Sequence, residues 1–287
     1  MTADQQALYD PRVHAYRNDL ADSALKDLIE AARYVEGAPY MVTAGVTDIR
    51  SAPNEAADRD SQALRGEQVR VFDVADGWAW GQLQTDGYVG YLPADCLSQE
   101  ISTPTHEISV LASFIYPEAS IKHPAAEHVS FGERFEIVEE GEKFSKTKDG
   151  GHIYSAHLRP LERAAGSPMA EAEKFIGVPY LWGGRSAFGV DCSGLVQLAC
   201  LASGMAAPRD SDMMEAYLGK PLDHMDTKRL QAGDLIFWKG HMGLMMDEIH
   251  MIHSNGHHMQ TVVEPVEEAV SRIAYIYDTP TSFRRVF

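Results

Sequence analysis

Residues 183–204 read GGRSAFGVDCSGLVQLACLASG, a glycine-rich loop that runs through Asp191 and Cys192 into an apolar stretch. The stretch SGLVQLACLASG has the composition of a buried helix, and Cys192 stands at its start. A thiol at a helix N-terminus sits at the positive end of the helix dipole, which lowers its pKa from about 8.5 and raises the thiolate fraction. Unpaired backbone N–H groups at that end can also receive a developing oxyanion. Two readings of Cys192 follow, a nucleophile or a buried structural cysteine, since free Cys is among the most buried residue types. Cys200 lies deeper in the same run, among Leu and Ala, and reads as core.

Working outward, Ser167 can cap a helix, Pro168 suits its first position, and Gly177 can close it after AEAEKFI. Beyond the cysteine helix, DLIFW (234–238), MGLMM (242–246), IHMIH (249–253) and TVVEP (261–265) read as strands. Helix first and strands afterwards is an α+β layout, and residues 164–287 are enough for one core.

A thiol nucleophile needs a base. His241 begins the strand MGLMM, His253 ends the strand IHMIH, and the polar break Asp247-Glu248 lies midway. A tight hairpin there sets the two histidines directly opposite on one face, with Cβ atoms roughly 4.5–5.5 Å apart. One imidazole can then orient the other for proton abstraction. The same pair also fits hairpin-edge histidines with no chemical task. His253, His257 and His258 cluster in HSNGHH, but no Cys-x-x-Cys or His-Glu-x-x-His accompanies them. Zinc wants three or four ligands. His257 and His258 read as decoration of a turn after Asn255-Gly256, and neither metal nor cofactor is expected.

The first 163 residues have another texture. Leu20, Leu25, Leu28, Ile29 and Ala32 recur at helical spacing between Asp19 and Tyr34, so residues 1–39 read as a helical segment ended by Gly37 and Pro39. From 40 to 100, short strands alternate with turns at Asp76-Gly77 and Asp86-Gly87, the pattern of a small barrel. Between 101 and 163 that pattern returns: Gly66-Glu67 recurs as Gly132-Glu133, Gly87-Tyr88 as Gly151-His152, and Leu97 as Leu158. The spacing shrinks along the copy, as small loop deletions produce. The copy lacks counterparts of Trp78 and Trp80, with Phe144 alone nearby. The reading is two tandem barrels; chance likeness between β-rich segments is the alternative.

Lys plus Arg number 25 against 42 Asp plus Glu, a net charge of −17 that repels nucleic-acid phosphates. No apolar run is long enough to span a membrane, and MTADQQALYDPRVHAYRNDL is not a secretory signal. Three cysteines are too few for a disulfide framework. A cytoplasmic protein with reduced thiols is expected.

The segments PYLWGGRSAFGVDCSGLVQ, AGDLIFW, HMGL and MIHSNG resemble the NlpC/P60 family of cell-wall peptidases. That family carries a Tyr-x-Trp-Gly-Gly loop, an Asp-Cys-Ser-Gly nucleophile turn, a Gly-Asp-Leu strand start and His-Val-Gly-Ile. Met242 stands where Val is usual. The resemblance covers 164–287 and implies a papain-like fold with Cys192 as nucleophile, His241 as base and His253 orienting it. It places the Cys192 N–H in an oxyanion hole, Tyr180 and Trp182 near the thiol, and Asp191 and Ser193 beside the substrate. The upstream barrels resemble bacterial SH3-like domains. In members similar to γ-D-glutamyl-L-diamino-acid endopeptidases of the dipeptidyl-peptidase VI type, the first such domain walls the cleft, and Glu67 and Tyr88 match its substrate contacts. Asp191 and Glu67 are then expected to bind a free α-ammonium, and the wall to reject longer N-terminal extensions. The implied activity is cleavage of the γ-D-Glu–diamino acid bond in peptidoglycan peptides with a free N-terminal L-Ala, as in peptide recycling. An amidase or acyltransferase of the same fold, or a non-catalytic binder of wall fragments, are the alternatives.

Overall fold

Apolar residues at every second position and turn residues that accept positive φ account for most of the N-terminal half. The computed structural model describes residues 9–276 and 278–286. It divides into two units, residues 1–108 with 112–161, and residues 109–111 with 162–287.

In the first unit, β1 (Ala38–Val42), β2 (Val46–Arg50), β3 (Arg59–Leu64), β4 (Gln68–Ala75), β5 (Trp78–Leu83), β6 (Val89–Pro93) and β7 (Leu97–Ser98) form one antiparallel sheet. Its order is β3-β2-β6-β5-β4-β1-β7. The β4–β5 hairpin pairs Ala75 with Trp78 around Asp76-Gly77, whose φ values of 51° and 82° are those of the two-residue turn that Asp-Gly favours. Val42, Ile49, Val69, Val71, Leu83, Tyr88 and Leu92 fill one core. Trp80 packs instead with Ala15, Leu20, Phe72 and Val89.

The chain continues with β8 (His106–Ile108), β9 (Ala112–Tyr116), β10 (Glu127–Ser130), β11 (Arg134–Phe135), β12 (Ile137–Glu139), β13 (Phe144–Thr147), β14 (His152–Tyr154) and β15 (Leu158–Pro160). These make two smaller sheets, β11-β8-β15 and β10-β9-β14-β13-β12. One turn is built twice. Gly66 and Gly132 take φ of 81° and 83°, a region that glycine enters without a Cβ penalty. The Glu67 carboxylate then accepts the Leu64 N–H at 2.8 Å, and the Glu133 carboxylate accepts the Ser130 N–H at 2.7 Å. The two turns abut: the Arg134 N–H donates to the Arg65 carbonyl at 2.9 Å, and the Arg65 guanidinium pairs with Glu127 and Glu133.

The helix expected over Asp19–Tyr34 is absent, and the part of the 1–39 segment before Tyr9 lies outside the described residues. In its place are a short parallel pairing of Ala21–Asp22 with Tyr34–Val35 and a 3-10 turn at Ser23–Leu25. The apolar spacing is real, since Leu20, Leu25 and Ile29 are buried. Tertiary bonds override the propensity. Asp22 accepts the Ala24 N–H and pairs with Arg70, Arg17 pairs with Asp73, and Asp27 has φ of 70°, which no helix accommodates.

The second unit holds α1 (Pro168–Glu173), α2 (Cys192–Ala202) and α3 (Ser211–Tyr217), then β16 (Asp234–Trp238), β17 (His241–Met245), β18 (His250–Asn255), β19 (Gln260–Pro265), α4 (Val266–Ile276) and β20 (Ser282–Arg285). The sheet runs β20-β16-β17-β18-β19, with Lys220–Pro221 outside β20. Helix α2 is buried on nearly every side and packs on α1, β17 and β18, as an all-round apolar helix must. Helix α4 covers a core of Ile236, Trp238, Met245, Met251 and Phe283. Ser167 precedes α1 in extended conformation without capping it, and α1 stops short of Gly177. No helix among the described residues is long and apolar enough to cross a membrane.

Burial pushes Glu133 up to about 7, although the Ser130 N–H and Arg65 pull the other way. Between about pH 5 and 7 the unfolded chain ionises this group while the folded unit keeps its proton, so stability falls as pH rises through that window. Glu133→Gln removes this slope. Urea denaturation of both proteins should show the variant gaining on the wild type, between about pH 5 and pH 8, on the order of 2 kcal/mol.

Candidate active site

The site begins with a buried carboxylate. Asp191 is the N-cap of α2, and its Oδ1 accepts the Gly194 N–H at 2.7 Å. Its Oδ2 accepts the Gly183 N–H at 2.9 Å, which ties the glycine-rich loop to the helix start. Arg209 completes the clamp with a two-pronged contact to Asp191, 3.0 Å to Oδ1 and 2.7 Å to Oδ2. Arg209 also donates to the Ser193 hydroxyl at 2.9 Å, and that hydroxyl lies 3.3 Å from Asp191 Oδ1. Gly194 is required by packing, because a Cβ there would meet the Gly184 carbonyl oxygen at 2.3 Å. Asp191 is the residue expected to face a substrate ammonium. Its lone pairs are filled by backbone donors and a guanidinium, and Ser193 belongs to the same clamp. Arg209 was missed because an isolated Arg in PRDSD gives no local signal.

Cys192 heads α2 at 7% exposure. Burial pushes its thiol up to about 12, and the Asp191 charge adds to the rise. The backbone N–H groups of Met242 and Ser193 and the charge of Arg209 oppose it without prevailing. The lowered pKa expected from the helix end is therefore not the resting state: desolvation outweighs the dipole. Cys200 is buried and likewise pushed up to about 12, as a core residue should be.

The Met242 N–H against the sulfur brings the start of β17, and with it His241, to the nucleophile. His241 Nε2 lies 2.9 Å from His253 Nδ1. The hairpin register differs from the direct opposition expected. Leu244 pairs with Ile252 and Met245 with Met251, so continuing the ladder sets His253 across from Gly243. Asp247 widens the turn, its Oδ1 accepting the Ile249 and His250 N–H groups at 2.7 Å each. The shift is even, so both rings stay on one face and meet diagonally. Burial pushes His241 down to about 3, with His253 and Arg272 adding and Glu264 opposing. At rest the pair is a neutral thiol and a neutral imidazole.

Behind His253, at 1% exposure, stands a residue the sequence reading missed. Its Nε2 lies 2.6 Å from Glu264 Oε1, and Arg272 of α4 pairs with the same carboxylate. Burial works to raise the Glu264 pKa, but hydrogen bonds from His253 and Arg272 overcome it and bring it to about 2. His253, His258 and Glu264 each offer a ligand atom within 4.8 Å of the others. The Arg272 guanidinium already occupies that carboxylate, which opposes a cation there. His257 is exposed and packs edge-on against His258, ring centroids 4.7 Å apart.

The remaining candidates are placed as follows. Tyr180 bridges to Val190 and is half-buried, while Trp182 in the same loop is 65% exposed. Glu67 and Tyr88 belong to the first unit, the former 2% exposed in its turn and the latter 4% exposed in its core.

The NlpC/P60 family profile matches residues 177–278, and the profile of the bacterial dipeptidyl-peptidase Sh3 domain matches residues 49–97. A gamma-D-glutamyl-L-lysine dipeptidyl-peptidase of Bacillus cereus is 31% identical over 227 residues, 68% of this chain and 67% of that protein. The Bacillus subtilis protein of the same name is 45% identical over 89 residues, 28% of each chain. The crystal structure of an NlpC/P60 family protein from Bacillus cereus covers 87% of this chain and 99% of its own, with a TM-score of 0.73 at 22% identity, a likeness of fold. The chain is thus a cysteine peptidase with a papain-like catalytic unit, and it belongs to the NlpC/P60 family.

Proposed function

We propose that this peptidase cleaves the bond between the γ-carbonyl of D-Glu and a diamino acid in peptidoglycan peptides. The observation that carries the reading is the 2.9 Å contact between His241 and His253 on the strand whose backbone bonds the Cys192 sulfur. The names of the two Bacillus relatives supply the bond.

Chemistry starts from the neutral pair. As the Cys192 sulfur attacks the γ-carbonyl carbon, its proton passes to the bare nitrogen of His241. The carbonyl oxygen becomes an oxyanion at the positive end of α2, where the Cys192 N–H is placed to receive it. The His241 imidazolium then protonates the departing amine, and the C–N bond breaks to leave a thioester. A water molecule, deprotonated by His241, releases the acyl group and restores the thiol. The charge pair forms as the proton moves from sulfur to nitrogen, so the low His241 pKa and high Cys192 pKa are compatible with catalysis.

Recognition is assigned to the exposed Trp182 and to Tyr180 in the loop before the nucleophile. Asp191 and Ser193 hold that loop and, in this reading, stand beside the substrate's amino end. The amino-end contacts that the family resemblance gives to Glu67 and Tyr88 remain part of this reading. A free-amine requirement suits peptides already released from the wall, where that amine is otherwise an amide, and peptide recycling is the role inferred. The second β-rich segment is read as a degenerate copy of the SH3-like domain, on the strength of the repeated glycine–glutamate turn.

Mass spectrometry of L-Ala-γ-D-Glu-meso-diaminopimelate and of its N-acetylated form tests the substrate. The free peptide should be cut and the acetylated one spared, and Glu67→Gln should narrow that difference. Cutting of neither, with Cys192 still labelled by a thiol reagent, would move the reading to another acyl substrate. Cys192→Ala should lower turnover by on the order of a thousandfold or more while leaving the thermal midpoint near wild type. Full activity in that variant would end the mechanism.

A further inference from the structure

We infer that Glu264 is a positioning residue, which through His253 fixes the ring nitrogen of His241 that is left bare to take the Cys192 proton. The inference rests on the peptidase reading of Cys192 and His241 and extends it by one residue.

Three strands carry the argument. His253 pairs with Val262 across β18 and β19, and Met251 with Glu264. Glu264 therefore shares a face with His253 and sits one diagonal step beyond it, as His241 sits one diagonal step before it. His241, His253 and Glu264 form a line across the sheet, with contacts of 2.9 Å and 2.6 Å.

The line has a direction. An ionised carboxylate can only accept, so His253 Nε2 carries the hydrogen. The Asn255 amide nitrogen, itself a donor, is 3.0 Å from the same ring nitrogen and could bond only a bare Nε2, but the ionised Glu264 oxygen is closer and charged and keeps the hydrogen on Nε2. A neutral His253 with hydrogen on Nε2 has a bare Nδ1, so His241 Nε2 must be the donor in their contact. His241 Nδ1 is then bare, and it is the nitrogen available to the thiol. Without the carboxylate, His253 can take either tautomer, and one of them turns His241 the wrong way. Arg272 keeps Glu264 ionised and in place.

The charges around the imidazoles give the test its sign. Acting on them are Glu264 from β19, Arg272 from α4 and His258 from the turn after β18, while the Asp191–Arg209 pair acts on the thiol at the head of α2. Removing the negative charge of Glu264 makes protonated imidazole less stable, and removing the positive charge of Arg272 makes it more stable.

The measurement is the rate of Cys192 alkylation by iodoacetamide as a function of pH, read by mass spectrometry on the full chain, beside kcat and KM for peptide cleavage. Glu264→Gln should lower the alkylation plateau and kcat roughly tenfold or more, with KM little changed, and move the acid limb to lower pH. Arg272→Met should move that limb to higher pH. Glu264→Asp, which keeps the charge, should return the limb towards wild type. General structural damage slows both variants without displacing their limbs in opposite senses. Wild-type limbs in both Glu264→Gln and Arg272→Met, or shifts of one sign, would overturn the assignment. Should Glu264→Gln fail to fold by thermal melting, the Arg272→Met shift decides alone. Opposite shifts in a protein that cuts no peptidoglycan peptide would sustain Glu264 and sink the substrate instead.

Discussion

The buried contact between Asp191 and Arg209 is the constraint on which the catalytic unit depends. A carboxylate at 8% exposure and a guanidinium at 1% are costly to bury apart, and each is tolerable because the other is fixed beside it. Their bonds run in three directions: to Gly183 in the loop, to Gly194 in the first turn of α2, and to the Ser193 hydroxyl. One carboxylate thereby sets where the helix starts, how the loop approaches it and where the thiol points. Glycine is needed at 194 because the Gly184 carbonyl is drawn against the helix by the same bonds.

That arrangement has an electrostatic consequence. The helix end and the adjacent N–H groups of Met242 and Ser193 favour a thiolate, whereas burial and the Asp191 charge disfavour it more strongly. The Cys192 thiol therefore rests protonated. The base faces the same condition, since burial disfavours a cation on His241. Moving one proton from sulfur to nitrogen creates two opposite charges together, and their attraction in a poorly solvated site is large compared with that of either charge and water. On the proposed mechanism, a pair that is neutral at rest and ionic in the transition state puts its electrostatic stabilisation where the barrier is.

Much of this was legible in local sequence because local chemistry decides it. Asp76-Gly77 makes its hairpin because both residues accept positive φ, and DLIFW is a strand over the residues its apolar run marks. The thiol at the helix start and the two histidines follow from spacing and the family motifs. What could not be read depends on contacts distant in sequence. Arg209, Glu264 and Arg272 are single charged residues whose partners are chosen by the tertiary fold. Between Asp19 and Tyr34 the apolar period is correct for burial but wrong for a helix, because Arg70 and Asp73 of β4 bind that segment's Asp22 and Arg33.

The hairpin register shows why an error in local detail can leave the site intact. Placing the turn at Asp247 assumes two residues between the strands, but the Asp247 carboxylate binds two successive N–H groups and the loop is longer. The histidines consequently slip from direct to diagonal opposition. Side chains alternate between faces with a period of two, so an even slip preserves the face and an odd one reverses it. Diagonal neighbours are too far apart for small side chains but within reach of two imidazole rings. Repeating that diagonal from β18 to β19 reaches Glu264 rather than the directly paired Val262. The geometry that separates His241 from His253 by one extra step is thus the geometry that lets a third strand contribute a carboxylate to the same line.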